Sequence, residues 1–253
     1  MEFKSFGFSD VGKLRSHNED SYLCNAQHKL FVVADGMGGQ ASGEAASQLA
    51  VREVEEFVIR SRSQGNRWPK KARRDLTLEQ HRLLAAVTLA NRRIHETAGA
   101  SPEMKGMGTT LVGAILEGDH LAVANVGDSR LYRVRGGQIQ QLTQDHSFVE
   151  EQVRKGDLTR EEAKGHLQKH ILTRALGVQE KVKADLSLVE LRPKDLILLC
   201  SDGLYHMLED SRILSLMESI EDRSLYKIGL TLVLQANLAG GLDNITVVLI
   251  SLL

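Results

Sequence analysis

Residues 30–39 of the chain read LFVVADGMGG. The apolar run 30–34 predicts a buried β-strand, and the strand delivers Asp35 to its end, directly before Gly36. Glycine lets the backbone turn sharply and approach a bound group closely. The same format recurs around Asp128, Asp202 and Asp243, each of which adjoins an apolar run and lies close to a glycine.

These four aspartates predict a cation site. A single Asp beside Gly is typical of a turn, but four with one format indicate that the strand ends converge. Like charges repel strongly in a partly buried site, so a positive ion must hold them together. Oxygen ligands without a Cys/His cluster favour Mg²⁺ or Mn²⁺ over Zn²⁺, and the His and Cys residues of the chain show no zinc-binding spacing.

The stretch after Asp35 also fits a dinucleotide fingerprint. Residues 36–41 (GMGGQA) match G-x-G-x-x-[GA] between a predicted strand and a predicted helix. Asp35 would repel the pyrophosphate, and the glutamates about 20 residues on lie in a helical pattern instead of ending a second strand. A dinucleotide-dependent oxidoreductase therefore stays a weak alternative, and an absence of NAD binding would remove it.

The hydrophobic pattern predicts short strands alternating with helices. Helices are predicted at residues 43–62, 78–97 and 225–238, a hairpin turn at 135–138, and a polar insertion at 159–170. The basic residues 60–74 are interpreted as a solvated loop, with a docking patch as the alternative. Strands are predicted at residues 30–34, 109–116, 120–126, 131–135, 138–142, 195–200 and 244–252.

Composition limits the class of protein. The 253 residues carry a formal net charge of −1, which gives no reason to expect nucleic acid or a membrane as a partner. Cys24 and Cys200 lie in apolar runs and are expected to be reduced core residues. No apolar run approaches the roughly 18 residues of a membrane span, and the first ten residues do not resemble a signal peptide. We therefore expect a cytoplasmic protein.

Seven motifs, in order along nearly the whole chain, resemble the PPM family of PP2C-type serine/threonine protein phosphatases, and its bacterial branch in particular. Each motif is weak alone, but chance explains seven in the right order poorly. They are Arg15 with residues 18–20 (NED), then residues 34–39 (ADGMGG), 106–110 (GMGTT), 127–130 (GDSR), 172–177 (LTRALG), 201–204 (SDGL) and 243–246 (DNIT).

The resemblance implies an α+β fold. In this PP2C-like β-sandwich, two antiparallel sheets pack together and helices cover both outer faces, giving four layers (α-β-β-α). It also implies a single domain over residues 1–253. Residues 143–176, called here the flap segment, match the variable flap that borders the active site in the family and are the expected seat of substrate preference.

The resemblance also assigns metal ligands. Asp35 is expected to bridge two Mn²⁺ or Mg²⁺ ions, with the Gly36 carbonyl on one of them. Asp202 and Asp243 are expected to complete the protein ligands of this pair. Asp128, together with Asp202, matches a third metal site of bacterial members.

The remaining roles concern water and substrate. Asp20 belongs to the expected metal site and, with Glu19, is expected to hold metal-bound waters. Arg15 presents a planar fork suited to phosphate oxygens and is expected to grip the substrate. The implied reaction is hydrolysis of phosphoserine and phosphothreonine monoesters by direct attack of a metal-bridging hydroxide, without a covalent intermediate.

One position departs from many eukaryotic members. They carry a histidine, proposed as the general acid, where this chain has Met37. His166, in the flap segment, is the first candidate for a catalytic or substrate-contacting histidine, and His17 is a weaker one.

The expected partners are phosphorylated proteins, the substrates of a Ser/Thr kinase, and the chain is expected to act as a monomer. Two alternatives keep the fold. One is a pseudophosphatase that binds phosphoproteins without turnover, and the other is a phosphatase dedicated to one regulatory protein.

Overall fold

Two antiparallel β-sheets face each other in the computed structural model, which describes residues 1–38, 42–63 and 73–253. The first sheet has the order β1-β11-β10-β7-β8, and the second has the order β2-β3-β5-β6-β9 with β4 paired to β3. The strands are β1 (Phe3–Asp10), β2 (Asp20–Asn25), β3 (Leu30–Met37), β4 (Gly108–Thr109), β5 (Leu111–Glu117), β6 (His120–Val126), β7 (Arg130–Arg135), β8 (Gln138–Gln141), β9 (Asp185–Glu190), β10 (Leu196–Cys200) and β11 (Ile245–Leu252).

Strand β3 shows why residues 30–34 are all apolar. Side chains alternate between the two faces of a strand. Phe31 and Val33 pack into the core between the sheets, whereas Leu30, Val32 and Ala34 pack into the core beneath the helices. A strand that is covered on both faces needs a continuous apolar run, which residues 30–34 provide.

Helices cover the outer face of each sheet. Helix α1 (Ser42–Ser63) lies on the second sheet beside α2 (Leu78–Ala100), which begins with a capping box between Thr77 and Gln80. The first sheet is covered by α5 (Asp202–Tyr205), α6 (Asp210–Glu218) and α7 (Leu225–Leu238). The layers are therefore α-β-β-α, as the resemblance implied.

The hairpin predicted at residues 135–138 is confirmed. Arg135 pairs with Gln138 across a two-residue turn between β7 and β8. Gly136 and Gly137 have φ values of 57° and 72°, the left-handed region that such turns require.

The flap segment lies between β8 and β9. It contains α3 (Phe148–Lys155) and α4 (Arg160–Gly165), so the insertion predicted to be polar is partly helical. Its two ends are tied together, because the Phe148 N–H donates to the Ile171 carbonyl at 2.8 Å and the Thr173 N–H donates to the His146 carbonyl at 2.8 Å.

The predicted strands and the three predicted helices are confirmed, with shifted ends. The strand predicted at residues 109–116 is divided at Thr110 into β4 and β5. Strands β1, β2 and β9 and helices α3 to α6 were not predicted. The docking-patch interpretation falls largely on residues 64–72, and the dinucleotide fingerprint partly on residues 39–41; both ranges lie outside the described residues. Among the helices described, none has the length and apolar character needed to cross a membrane.

Candidate metal centre

Aspartates from both sheets meet at the base of one cleft of about 870 Å³. Asp20 begins β2 and lies directly opposite Asp35 of β3 in the strand register. Asp202 opens α5 directly after β10, and Asp243 lies just before β11. Asp128 follows β6, so four aspartates line the cleft (Asp35, Asp128, Asp202 and Asp243), and Asp20 is buried beside Asp35.

The closeness of these carboxylates shifts their pKa values. Burial raises the pKa of Asp35 well above its usual range, and the charges of the other four aspartates raise it further. Burial also raises the pKa of Asp20 to about 7 and, with the charge of Asp202 next in importance, that of Asp128 to about 7. The site therefore accumulates negative charge that the folded protein alone does not compensate.

Asp20 is held by hydroxyl groups of the opposite sheet. Its Oδ2 accepts hydrogen bonds from Ser201 Oγ at 2.7 Å and from Thr246 Oγ1 at 2.6 Å. These bonds favour the ionised carboxylate and lower its pKa, but they do not outweigh burial. They also join the second sheet to the first at the edge of the site.

The two carboxylate oxygens of Asp202 have different surroundings. Its Oδ2 lies 3.3 Å from His206 Nδ1, while its Oδ1 is buried without a hydrogen-bond partner. Burial acts to raise the pKa of Asp202, but the contact with His206 and the charge of that imidazole lower it overall. An unpartnered buried carboxylate oxygen is costly unless a cation occupies the adjacent space.

Gly36 lets the backbone pass close to two other backbone segments of the protein. A Cβ at this position would lie 2.1 Å from the Gly43 carbonyl oxygen and 2.6 Å from the Glu19 carbonyl oxygen. The Gly36 N–H donates to that Glu19 carbonyl at 3.1 Å. The glycine therefore fixes the loop that carries Glu19 against the end of β3.

Arg15 lies at the exposed rim of the cleft. Its Nη2 donates to Asp243 Oδ2 at 2.7 Å, and its side chain is 52% exposed. Glu19 lines the same cleft, and burial raises its pKa. Asn244 holds this segment in place, because its Oδ1 accepts from the Glu19 N–H at 2.8 Å and its Nδ2 donates to the His17 carbonyl at 2.9 Å.

The donors fit divalent metal ions. Carboxylate oxygens dominate the base of the cleft, one of them is buried without a partner, and three of the five aspartates have raised pKa values. Hard oxygen donors in this number suit Mg²⁺ or Mn²⁺. In the structure, the aspartates predicted to converge and the Gly36 backbone do lie together.

Comparison with known proteins identifies the family. The family model described as protein phosphatase 2C matches residues 14–239. The chain belongs to the protein phosphatase 2C (PP2C) family. A serine/threonine phosphatase stp from Listeria welshimeri is 38% identical over 247 residues, covering 96% of this chain and 93% of that protein.

Solved PP2C structures agree with the fold. The serine/threonine phosphatase PstP/Ppp of Mycobacterium tuberculosis has a TM-score of 0.85 and 36% identity, covering 99% of this chain and 98% of that one. A structure of the PstP catalytic domain in complex with two manganese ions has a TM-score of 0.82 and 34% identity, covering 98% of this chain and 97% of that one. The α+β sandwich predicted from the resemblance is thus confirmed.

The predicted histidine of this PP2C chain does not reach the cleft. His166 caps the C-terminal end of α4, its Nδ1 accepts from the Gln168 N–H at 3.1 Å, and its ring lies against Phe148. His170, four residues later, lines the cleft instead, next to the carboxylates. Met37 lines the cleft as well, and its thioether carries no proton to donate.

Two further features of the PP2C site were missed from the sequence. His206 lies four residues after Asp202, which places both on one face of a helical turn; this spacing is readable in the sequence. Arg174 lines the cleft from the flap segment, and its Nη1 donates to Asp185 Oδ1 at 2.9 Å beside the buried ring of His146. Asp185 and His146 carry no local signal, because only the tertiary fold brings them to Arg174.

Proposed function

We propose that the chain is a metal-dependent phosphatase that hydrolyses phosphoserine and phosphothreonine in proteins. The observation that carries the proposal is the convergence of four aspartates at the base of a cleft with an arginine at its rim, with Asp20 buried beside Asp35. Mn²⁺ or Mg²⁺ is the proposed cofactor, as two catalytic ions and a third. The relatives' printed names and the manganese-bound neighbour support both parts.

Each residue of the centre then has a task. Asp35, the Gly36 carbonyl, Asp202 and Asp243 would bind the two catalytic metal ions. Asp128 and Asp202 would bind the third ion. When bound, such ions lower the pKa of a water molecule and neutralise charge on a phosphoryl group. Since the carboxylates must be ionised to bind them, the raised pKa values indicate that metal binding releases protons.

Glu19 and Asp20 would orient water at this centre. Asp20 is kept in place by the hydroxyls of Ser201 and Thr246, so its carboxylate is aimed by contacts that do not depend on the ions. Glu19 lines the cleft and is held by Asn244 through its backbone. Fixed acceptors of this kind position a nucleophilic water without reorganisation during the reaction.

Arg15 would bind the phosphate of the substrate. It is exposed and contacts Asp243 through Nη2, which leaves the rest of its guanidinium fork free to bind two phosphate oxygens. Arg174, Lys181 and Lys183 also line the cleft and add positive charge around an anionic substrate.

The test compares activity with metal binding. Wild-type protein with Mn²⁺ should hydrolyse an aryl phosphate and a phosphothreonine peptide, and Asp35→Asn and Asp243→Asn should each abolish turnover while the circular dichroism spectrum stays unchanged. Asp119→Asn, at an exposed turn, is the matched control and should keep full activity. Full activity in a folded Asp35→Asn variant would refute the two-ion assignment.

Calorimetry separates an enzyme from a non-catalytic scaffold. The phosphatase should bind Mn²⁺ specifically, whereas a pseudophosphatase would bind little. Comparing the hydrolysis of phosphopeptides with that of intact phosphoproteins then tests whether the enzyme is dedicated to one protein substrate.

The proposal also includes that the protein acts in the cytoplasm, as a monomer, on the targets of a Ser/Thr kinase. Analytical sedimentation of the purified protein tests whether it is a monomer.

A further inference from the structure

Two histidines lie next to Asp202 on the flap side of the metal centre. The candidate ligand atoms of His170, Asp202 and His206 all lie within 4.8 Å of one another. The rings of His170 and His206 meet edge to face, with centroids 5.1 Å apart. His170 belongs to the flap segment and His206 caps α5, so two separate parts of the chain bring imidazoles to one carboxylate.

The spacing of two of these atoms suits a tetrahedral ion. His206 Nδ1 lies 3.3 Å from Asp202 Oδ2. Two ligand atoms each about 2.1 Å from a tetrahedral Zn²⁺ are about 3.4 Å apart, so neither side chain needs to move far. The ligand atom of His170 would have to approach by at most about 1.4 Å, since all three ligand atoms already lie within 4.8 Å of one another.

The donor set differs from that of the carboxylate centre. Two imidazoles and one carboxylate, with a water completing the fourth position, are typical of a zinc site and are poor ligands for Mg²⁺. The two oxygens of Asp202 allow both sites, because the buried Oδ1 is unpartnered and Oδ2 faces His206.

We propose that His170, Asp202 and His206 form a Zn²⁺ site that ties the flap segment to the metal centre. His170 is suited to this because the next residues are already anchored: the Ile171 carbonyl accepts from the Phe148 N–H at 2.8 Å. An ion on His170 and His206 therefore fixes the part of the flap segment that lines the cleft. It also draws Asp202 toward the flap side, so Zn²⁺ at this site opposes turnover.

Zinc binding to Mn²⁺-saturated protein tests the site directly. Wild-type protein should bind one more equivalent of Zn²⁺ per chain than His170→Asn or His206→Asn, and each substitution should weaken that site at least about 100-fold, since loss of even an indirect partner costs 10- to 100-fold. His120→Asn is the matched control, because His120 pairs with Asp119 at 2.7 Å on the surface without a second histidine. Equal zinc binding in all four proteins overturns the proposal.

Limited proteolysis tests the flap tether without any substitution. Zn²⁺ should slow tryptic cleavage after Lys169, which precedes His170, and should leave cleavage after Arg223, in an exposed turn, unchanged. Equal slowing at both positions, or at neither, contradicts a local tether.

The expectation that Zn²⁺ inhibits turnover rests on the proposed function, but the zinc-binding and proteolysis measurements do not. Wild-type protein that turns over substrate with Mn²⁺ but binds no extra Zn²⁺ at His170 and His206 would overturn this inference alone. Wild-type protein that binds this Zn²⁺ but has no phosphatase activity with Mn²⁺ in the absence of zinc would overturn the proposed function alone.

Discussion

Asp128→Asn should stabilise the metal-free protein at high pH. The Asp128 side chain is buried, with 7% of its surface exposed, and its pKa is raised to about 7 by burial and by the charges of Asp202 and Asp145. Above that pH the folded protein must hold a buried carboxylate that water would solvate in the unfolded chain. Asparagine has nearly the same shape and no charge, so the substitution removes this cost.

The magnitude follows from the pKa. A carboxyl group with an unfolded pKa of about 3.9 and a folded pKa near 7 lowers stability by about 1.4 kcal/mol per pH unit between these values. Because its folded pKa is raised, its stability contribution falls as pH rises through this window. The stability gain of Asp128→Asn should therefore increase by about 2 to 3 kcal/mol between pH 5 and pH 8.

Urea unfolding in EDTA, followed by far-ultraviolet circular dichroism at both pH values, measures this gain. Asp119→Asn is the control with the opposite sign, because the pKa of the exposed Asp119 is lowered by its hydrogen bond from His120. With saturating Mn²⁺ the advantage of Asp128→Asn should shrink, since the variant lacks a ligand. A gain that stays constant from pH 5 to pH 8 in EDTA would refute the reasoning.

Three further outcomes are expected. Ser201→Ala removes a hydrogen bond to Asp20, so the pKa of Asp20 should rise above about 7 and the acidic limb of Mn²⁺ affinity should move to higher pH; Ser21→Ala, whose hydroxyl bonds Ser47, should not move it. Gly36→Ala places a Cβ 2.1 Å from a carbonyl oxygen and should abolish Mn²⁺ binding in calorimetry, whereas Gly99→Ala, with nothing within 4 Å, should slightly raise the melting temperature. EDTA should lower the melting temperature of the wild type more at pH 8 than at pH 6, because the carboxylates are then ionised.

Central strands were predictable because burial on both faces leaves a simple pattern. Strands β3, β5, β6, β10 and β11 each contain an apolar run of at least four residues. Edge strands do not leave such a pattern. In β1, Gly7 interrupts the alternation because a Cβ there would lie 2.5 Å from the ring of Tyr22, a contact that only the tertiary fold creates.

The positions of the site carboxylates in the sequence were predictable for a different reason. Each lies beside a strand that the sequence marks clearly, so the positions of Asp35, Asp202 and Asp243 follow once the strands are assigned. Histidine carries no comparable local mark. His166 and His170 are both in a polar segment, and only the turn after α4 decides which of them lines the cleft. In this turn the Lys169 N–H donates to the His166 carbonyl at 3.2 Å and the Ile171 N–H donates to the Gln168 carbonyl at 3.1 Å.

The site lies at the seam between the sheets, and this explains why its charges matter for the whole fold. Asp20, Asp35 and Asp128 come from the second sheet, whereas Asp202 and Asp243 come from the first. Their mutual repulsion acts to separate the sheets, and the bonds from Ser201 and Thr246 to Asp20 act against it. A divalent ion shared between Asp35 and Asp202 would join the two sheets, because these residues come from different sheets. Metal binding should therefore stabilise the sandwich as a unit, so that hydrogen exchange slows in β3 and β10 together when Mn²⁺ is added. Protection confined to the loops of the cleft would mean that the ions bind without joining the sheets.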